Sequence, residues 1–433
     1  MMTVESPGWG SAFFVLWLVL ACASAMHAIM YKRDPKGAGL WLFAVFTFPI
    51  FGAWLYWTFG INRIERRAER RLGGRQKPFH PLEEVTPQTA IVDHVVSLEL
   101  RTLRRVTDSV TRLPLLGGNR LEPLHNGEEA YPAMLDAIHS AKRSITLASY
   151  IFDWDRTGRS FAEALAAAAR RGVHVHVLLD GVGAVYSFSR TGRTLIKAGA
   201  QVAAFFPLRF PLGRLRLNLR NHRKILVVDG QVGFTGGMNI SRRHMLKQMS
   251  LNRAEDLHFR VEGPVVAQMQ QTFTEDWFLA KKTLLSGPDY FPSLDLVGNA
   301  VCRGIVSGPD ENYEKIHLVL QGALASAERS VRIVSPYFVP SASIVSAMCM
   351  AKLRGVDVTL VLPSKVDLPY MRWAADAFLW QVLQHGVRVF MRKPPFVHTK
   401  LVLVDDQWLL LGSANIDRRS FRLNFEFNIE VYN

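Results

Sequence analysis

The chain has 433 residues, of which 49% are hydrophobic and 21% charged. That balance excludes a disordered polyelectrolyte and leaves room for two or three domains at roughly 100–200 residues each. Lys and Arg number 52 against 37 Asp and Glu, a formal net charge of +15, so the expected partner is anionic: nucleic acid, or an anionic membrane and its lipids. The three cysteines, Cys22, Cys302 and Cys349, are widely separated, which excludes a disulfide scaffold and a CxxC zinc or redox centre.

In chain order, the first element is an uncharged stretch from Ser11 to Met30, and a second runs from Gly37 to Asn62, rich in Trp, Phe and Leu. Each is long enough to cross ~30 Å of hydrocarbon as a helix. The residues before Ser11 carry only Glu5, not the basic n-region of a cleaved signal peptide, so two retained helices are expected. With only Tyr31–Gly37 between them they form a transmembrane hairpin, residues 1–62. Arg63, Arg66, Arg67, Arg70, Arg71, Arg75 and Lys77 follow at once. They outnumber the basic residues of the connector and predict a cytoplasmic body. This run either lies on anionic head groups or forms a solvated helix face paired with Glu65 and Glu69. Residues 63–120 are read as this basic segment followed by a linker and lead-in.

The remainder is one unit written twice. Ala141-Lys-Arg-Ser-Ile-Thr-Leu-Ala-Ser149-Tyr returns as Ala327-Glu-Arg-Ser-Val-Arg-Ile-Val-Ser335-Pro-Tyr. Each copy follows a helix-like segment and leads to Arg-Gly-Val, then to a β-branched strand, Val173–Leu179 or Val356–Leu362. Repetition in the same order implies duplication, and strand–helix alternation implies an α/β fold. The expectation is two α/β sandwich repeats, 121–285 and 300–433, packed as a pseudo-dimer with a site at the seam. The first copy ends in a helix-like run from Pro264 to Trp277, whereas the second stops at Asn433, so the second repeat is expected to lack a closing helix.

The chemistry lies in His222-Arg-Lys224 with Asp229 and Asn239, and in His398-Thr-Lys400 with Asp405 and Asn415. The shared pattern is H-x-K-x4-D-x6-G-[GS]-x-N. With 13 histidines, H-x-K-x4-D is expected by chance about 0.03 times, so two copies with matching tails are not accidental. On a strand, His and Lys at i and i+2 share a face. Asp229 and Asp405 complete the motif and are counted with the catalytic set, although their opposite parity favours pinning a turn. Gly-x-x-Asn can bring backbone N–H groups and an amide close to an anion. Two such sites facing each other suit a phosphodiester: Lys and Asn balance charge, one His attacks phosphorus, and the other exchanges protons with the alcohols. No metal-ligand spacing accompanies them, and neither metal nor cofactor is expected. Arg214, Arg216, Arg220, His222 and Lys224 would share one face if extended, giving either a cationic track for a head group or an exposed basic loop.

The paired motif resembles that of the phospholipase D superfamily and, more narrowly, the chain resembles bacterial cardiolipin synthases. The resemblance covers the N-terminal hairpin, Asn221–Gly230, Phe234–Asn239 and Ser420–Tyr432. It implies a nucleophilic first histidine, His222, and a downstream acid orienting each histidine, Asp256 for His222 and Glu426 for His398. It also implies a phosphatidyltransferase of a bacterial inner membrane, forming cardiolipin and glycerol from two molecules of phosphatidylglycerol. The rivals are a phospholipase D-type hydrolase, a transferase using another alcohol, a nuclease, and a non-catalytic lipid-binding scaffold. The apolar hairpin argues against nucleic acid as partner, and the two intact His/Lys pairs argue against a scaffold.

Overall fold

The computed structural model describes residues 9–32, 35–60, 92, 95–111, 113–181, 188–206, 219–248, 252–309 and 312–433. They divide into two compact units, Met1–Gln76 and Lys77–Asn433. The basic run 63–77, and Arg214 and Arg216 of the expected cationic track, lie outside the described residues.

In the first unit, helix α1 (Trp9–Tyr31) is long and apolar enough to cross a membrane. The second apolar stretch does not form the expected continuous span. Helix α2 (Pro35–Thr47) stops short, and a break precedes helix α3 (Phe51–Leu55) and a π-turn, Tyr56–Gly60. Pro49 lacks a backbone donor and Ile50 takes a left-handed φ of 58°, so the helical ladder cannot pass through them. The 13 residues of α2 rise about 20 Å, short of ~30 Å of hydrocarbon. The broken segment nevertheless packs back on α1. His27 Nδ1 lies 2.7 Å from the Tyr56 hydroxyl, and Trp57 Nε1 donates to Ser24 Oγ at 2.9 Å.

The second unit is organised by one continuous mixed sheet. Outward from its centre, the first half runs Leu116–His125, Leu257–Glu262, Val232–Gly236, Ile225–Val228, Ser144–Ser149, His174–Asp180, Gln201–Phe205. The second half runs Ala300–Ser307, Asn424–Tyr432, Trp408–Gly412, Leu401–Val404, Ser330–Val334, Asp357–Pro363, Arg388–Arg392. The two central strands pair antiparallel. In both halves the outer three strands are parallel, because helices cross between them, and the others are antiparallel. Parallel strands covered by helices read as the continuous β-branched runs seen in the sequence.

Residues 95–111 and 113–120 are built into this body instead of linking to it. Leu103 of helix α4 (Arg101–Val110) is buried in the second-half core with Val319 and Leu320. Buried Arg303 holds the helix by its ion pair to Asp108 at 2.6 Å, while Glu430 at 2.6 Å neutralises it from the sheet. Helix α5 (Val265–Lys281) covers one face of the first-half sheet, whose strand Ser144–Ser149 is buried throughout. In the second half, the alternate residues Leu401, Leu403 and Leu409 are half-exposed.

Candidate active site

Each half sends a short strand across to the other. Arg220–Asn221 pairs parallel with Asn424–Phe425, and His222 N donates to Phe425 O at 2.9 Å. Phe396–Val397 pairs parallel with Ala254–Glu255, and His398 N donates to Glu255 O at 2.8 Å. Each histidine is therefore seated beside the acid that follows the opposite pairing strand.

This reverses the expected partners. His222 Nδ1 lies 3.0 Å from Glu426 Oε2, not beside Asp256, and His398 Nδ1 lies 2.7 Å from Asp256 Oδ2, not beside Glu426. The cause is the parallel cross-pairing, which brings each half's acid-bearing strand to the other half's imidazole. His222 Nδ1 also approaches Ser413 O at 3.1 Å. Both neighbours are acceptors, so Nδ1 carries the proton and Nε2 presents its lone pair. The acids are held too. Ser413 Oγ donates to Glu426 Oε2 at 2.6 Å, and Leu257 N donates to Asp256 Oδ1 at 2.8 Å. Gly237 leaves the room that Asp256 needs, since a Cβ there would lie 2.4 Å from Oδ1.

The His-x-Lys segments are not part of the regular ladder. They lie between the cross-half strand and Ile225–Val228 or Leu401–Val404, where the chain leaves one half for its own sheet. Lys224 Nζ donates to His222 O at 2.6 Å, and Lys400 Nζ donates to His398 O. Both ammonium groups are buried beside the imidazoles. Burial pulls Lys224 down to about 7 and Lys400 to about 8. Burial also lowers His222, with Glu426 opposing, and holds His398 well below its ordinary range with help from Lys400 and Arg243. Burial alone would raise Glu426, but His222 and Lys224 outweigh it and keep the carboxylate ionised. The site is thus a pocket of basic groups whose charged forms burial disfavours, and an entering anion would favour them again.

Asp229 and Asp405 do not join it. Asp229 accepts from the backbone N–H groups of Lys142, Arg143 and Ser144 at 2.9, 2.7 and 3.0 Å. Asp405 accepts from those of Glu328, Arg329 and Ser330 at 2.8, 2.7 and 2.6 Å. Each carboxylate fixes the entry of a neighbouring strand at the hairpin end. The motif's seven-residue spacing places it there, across the length of the strand from the histidine. Asn239 Oδ1 accepts from Ile151 N at 3.2 Å, while buried Asn415 Oδ1 has no partner among the described residues.

Several neighbours were not singled out from the sequence. The Tyr150 ring stacks edgewise on His222 at 5.1 Å and lies under Lys224 at 5.5 Å. Arg243 lies over the Phe396 ring at 5.9 Å, and that ring is 5.8 Å from His398. Buried His244 donates from Nδ1 to Ala254 O at 3.3 Å, and its Nε2 has no partner among the described residues. His244, Asp256 and His398 offer ligand atoms within 4.8 Å of one another, but Asp256 and His398 are already engaged with each other. Tyr150 and Tyr337 do recur at the end of the repeated strand, a signal that marked duplication without indicating a role.

An α/β sheet of two mirrored halves, sharing one pocket of paired histidines and lysines between exchanged carboxylates, defines a phospholipase D-like protein. The family described as cardiolipin synthase, PLD-like domain, matches residues 134–277 and 320–433, and a phospholipase D-nuclease N-terminal family matches 15–60. Cardiolipin synthase A of Pseudomonas putida (strain GB-1) is 33% identical over 99% of this chain and 89% of its own length. That of Pseudomonas syringae pv. syringae (strain B728a) is 36% identical over 94% of this chain and 85% of its own. Phosphatidylserine synthase of Haemophilus influenzae Rd KW20 shares the fold, with a TM-score of 0.59 at 16% identity over 77% of this chain and 87% of that one. The chain belongs to the PLD-like cardiolipin synthase family.

The separation of roles within the motif is measurable. Asp405→Ala strands three backbone donors, so it should lower stability by about 1–3 kcal/mol. Calorimetry of the purified protein should show the loss of Tm while the activity per folded molecule stays near wild type.

Proposed function

We propose that this protein is a membrane phosphatidyltransferase that makes cardiolipin and glycerol from two molecules of phosphatidylglycerol. Its two halves act as a pseudo-dimer of duplicated repeats, 121–285 and 300–433. Both N-terminal apolar segments enter a bacterial inner membrane as a hairpin, with the body cytoplasmic. The observation that carries the reading is the crossed arrangement of two histidines, two lysines and two acids in one buried pocket, together with the full-length family relationship.

Glu426 fixes the proton of His222 on Nδ1, leaving Nε2 to attack phosphorus of the first lipid. A P–N bond forms and the P–O bond to glycerol breaks. His398 supplies the proton to the departing alkoxide, so glycerol leaves neutral. His398, oriented by Asp256, then takes a proton from the glycerol hydroxyl of a second phosphatidylglycerol. That oxygen attacks phosphorus, the P–N bond breaks, and His222 returns to its starting state. Lys224 and Lys400, with Asn239 and Asn415, balance the charge on the phosphoryl oxygens. Protonation of His398 requires the phosphodiester, whose negative charge offsets Lys400 and Arg243 beside it. Nucleic acid is not a partner in this reading, and no cofactor enters it.

The two histidines should separate kinetically. His222→Ala abolishes the covalent phosphoenzyme with every substrate. His398→Ala blocks turnover of natural lipid but retains reaction with a substrate whose leaving group needs no proton. Acid-quenched trapping of radiolabelled enzyme reads both, and a label on His398 reverses the assignment.

The lysines set a pH dependence. They are charged below their lowered values and lose that charge above them, so kcat/KM should fall between about pH 7 and 8 and continue down. In kcat this limb should lie at higher pH, because bound phosphodiester raises both lysines. Protonation of the nucleophilic imidazole below its ordinary 6.5 gives the acid limb.

The defining experiment is mass spectrometry of products from full-length protein and phosphatidylglycerol in mixed micelles. Cardiolipin should dominate, and added glycerol should reverse the reaction. Mainly phosphatidic acid would make the protein a hydrolase of the same superfamily.

A further inference from the structure

The second half carries an apolar surface that neither the sheet nor the catalytic pocket uses. Helix α6 (Pro369–Gln384) crosses between strands Asp357–Pro363 and Arg388–Arg392. Its inner face, Ala375, Leu379 and Val382, is buried against the helical layer. Its outer face is apolar too. Tyr370 is 58%, Trp373 74% and Trp380 60% exposed, and Leu383 adds a further 51%. Positions 370, 373, 377 and 380 follow helical spacing and form one stripe, with Ala377 in the middle. The helix carries only Arg372 and Asp376, which pair with each other at 2.8 Å. From Pro363 to Lys393, five Lys and Arg face two Asp; Arg388 pairs with Asp357 and Arg392 with Glu255 at 3.2 Å, and Lys365 and Lys393 are exposed. In the first half, the described residues at this place form a π-turn and the five-residue helix Arg193–Lys197 and carry no such stripe.

We propose that the outer face of α6 is an interfacial membrane anchor that seats the second half of the catalytic body on an anionic lipid surface. A soluble face presenting two tryptophans and a tyrosine would leave large amphipathic rings in water, whereas at the head-group level each ring buries its body and wets its N–H or O–H. An apolar helix face flanked along the chain by the exposed cations Lys365 and Lys393 has the composition that binds anionic bilayers in the plane. The position is purposeful. Asp367, just before α6, pairs with Arg243 at 3.6 Å and accepts the Tyr337 hydroxyl. Arg243 and Tyr337 both lie on Phe396, next to His398. A helix lying on the bilayer thus brings the His398 side of the pocket to the depth of lipid phosphates. This rests on the reading that the enzyme acts on membrane phospholipid, and it adds an anchor within the catalytic body.

The test uses full-length protein reconstituted in vesicles of phosphatidylglycerol and phosphatidylcholine. Trp373→Cys and Trp380→Cys, each in a Cys22→Ser background, carry an environment-sensitive fluorophore. Arg332→Cys, an exposed position on the second-half sheet away from this helix, is the control. Labels at 373 and 380 should shift to the blue and be quenched by shallow nitroxide lipids, and the label at 332 should not. This readout is independent of which product the enzyme makes. In parallel, Trp373→Ser/Trp380→Ser should raise the apparent KM for vesicle phosphatidylglycerol about tenfold and leave turnover of a monomeric short-chain analogue within about twofold. Unquenched labels overturn the proposal, as does a label shift that depends on protein density instead of lipid, which would point to a second copy. Equal loss on vesicle and monomeric substrate also overturns it, by making the tryptophans structural.

Discussion

Everything at the catalytic centre depends on the exchange of carboxylates between the two halves. Glu426 reaches His222, and Asp256 reaches His398, because each histidine enters on a short strand paired with the other half. Neither His222 nor His398 takes its orienting acid from its own half. A single repeat would hold an imidazole of undefined tautomer and a buried carboxylate facing no cation, a costly state for both. The central antiparallel pair of strands, Leu116–His125 with Ala300–Ser307, is therefore more than a dimer-like seam. It sets the register in which four titratable groups meet.

That register also explains why the pocket can be so basic. Two lysines and two histidines are buried within one pocket and compensated by two carboxylates. Desolvation acts against every extra positive charge, which is why the lysines fall towards neutrality and the histidines lose affinity for protons. The folded protein tolerates this because each ammonium is tied to the carbonyl of the histidine two residues before it. A phosphodiester entering such a pocket gains more than Coulomb attraction to fixed charges. It also draws protons onto groups that burial alone keeps short of them, coupling binding to the protonation state the reaction needs.

The basic groups that meet in the pocket were legible in the sequence where the motif is repeated. Repetition identified His222, Lys224, His398 and Lys400 and the order of strands around them, since local spacing survives translation into local structure. The crossed acids were not legible, because spacing along a chain says nothing about which half a neighbouring strand will pair with. Asp229 and Asp405 show the opposite case: they travel with the motif because the hairpin needs them, at the far end of the strand from the chemistry. The second apolar stretch reads as one span by composition. Pro49 and the left-handed Ile50 interrupt it, so length alone did not decide its shape. In sequence α6 is apolar nearly all round, and only burial reveals which of its faces is left exposed.

The two halves resemble each other in the sheet yet differ where lipid chemistry would need them to differ. In one, Gly237 clears space for a short Asp256; in the other, Ser413 clamps a longer Glu426. Among the described residues, only the first half places a second histidine, His244, beside an acid–imidazole pair, and only the second half builds a crossover helix with an exposed tryptophan stripe. A symmetric pair of sites would treat donor and acceptor lipids alike. An enzyme that transfers one phosphatidyl group to another lipid instead has to hold the intermediate on one side while the incoming alcohol, not water, arrives on the other. Water at ~55 M is outcompeted only by an alcohol concentrated and oriented at the intermediate. If α6 seats the His398 side at head-group depth as proposed, the bilayer itself supplies that alcohol, and the structural asymmetry and the choice of transfer over hydrolysis would have the same physical origin.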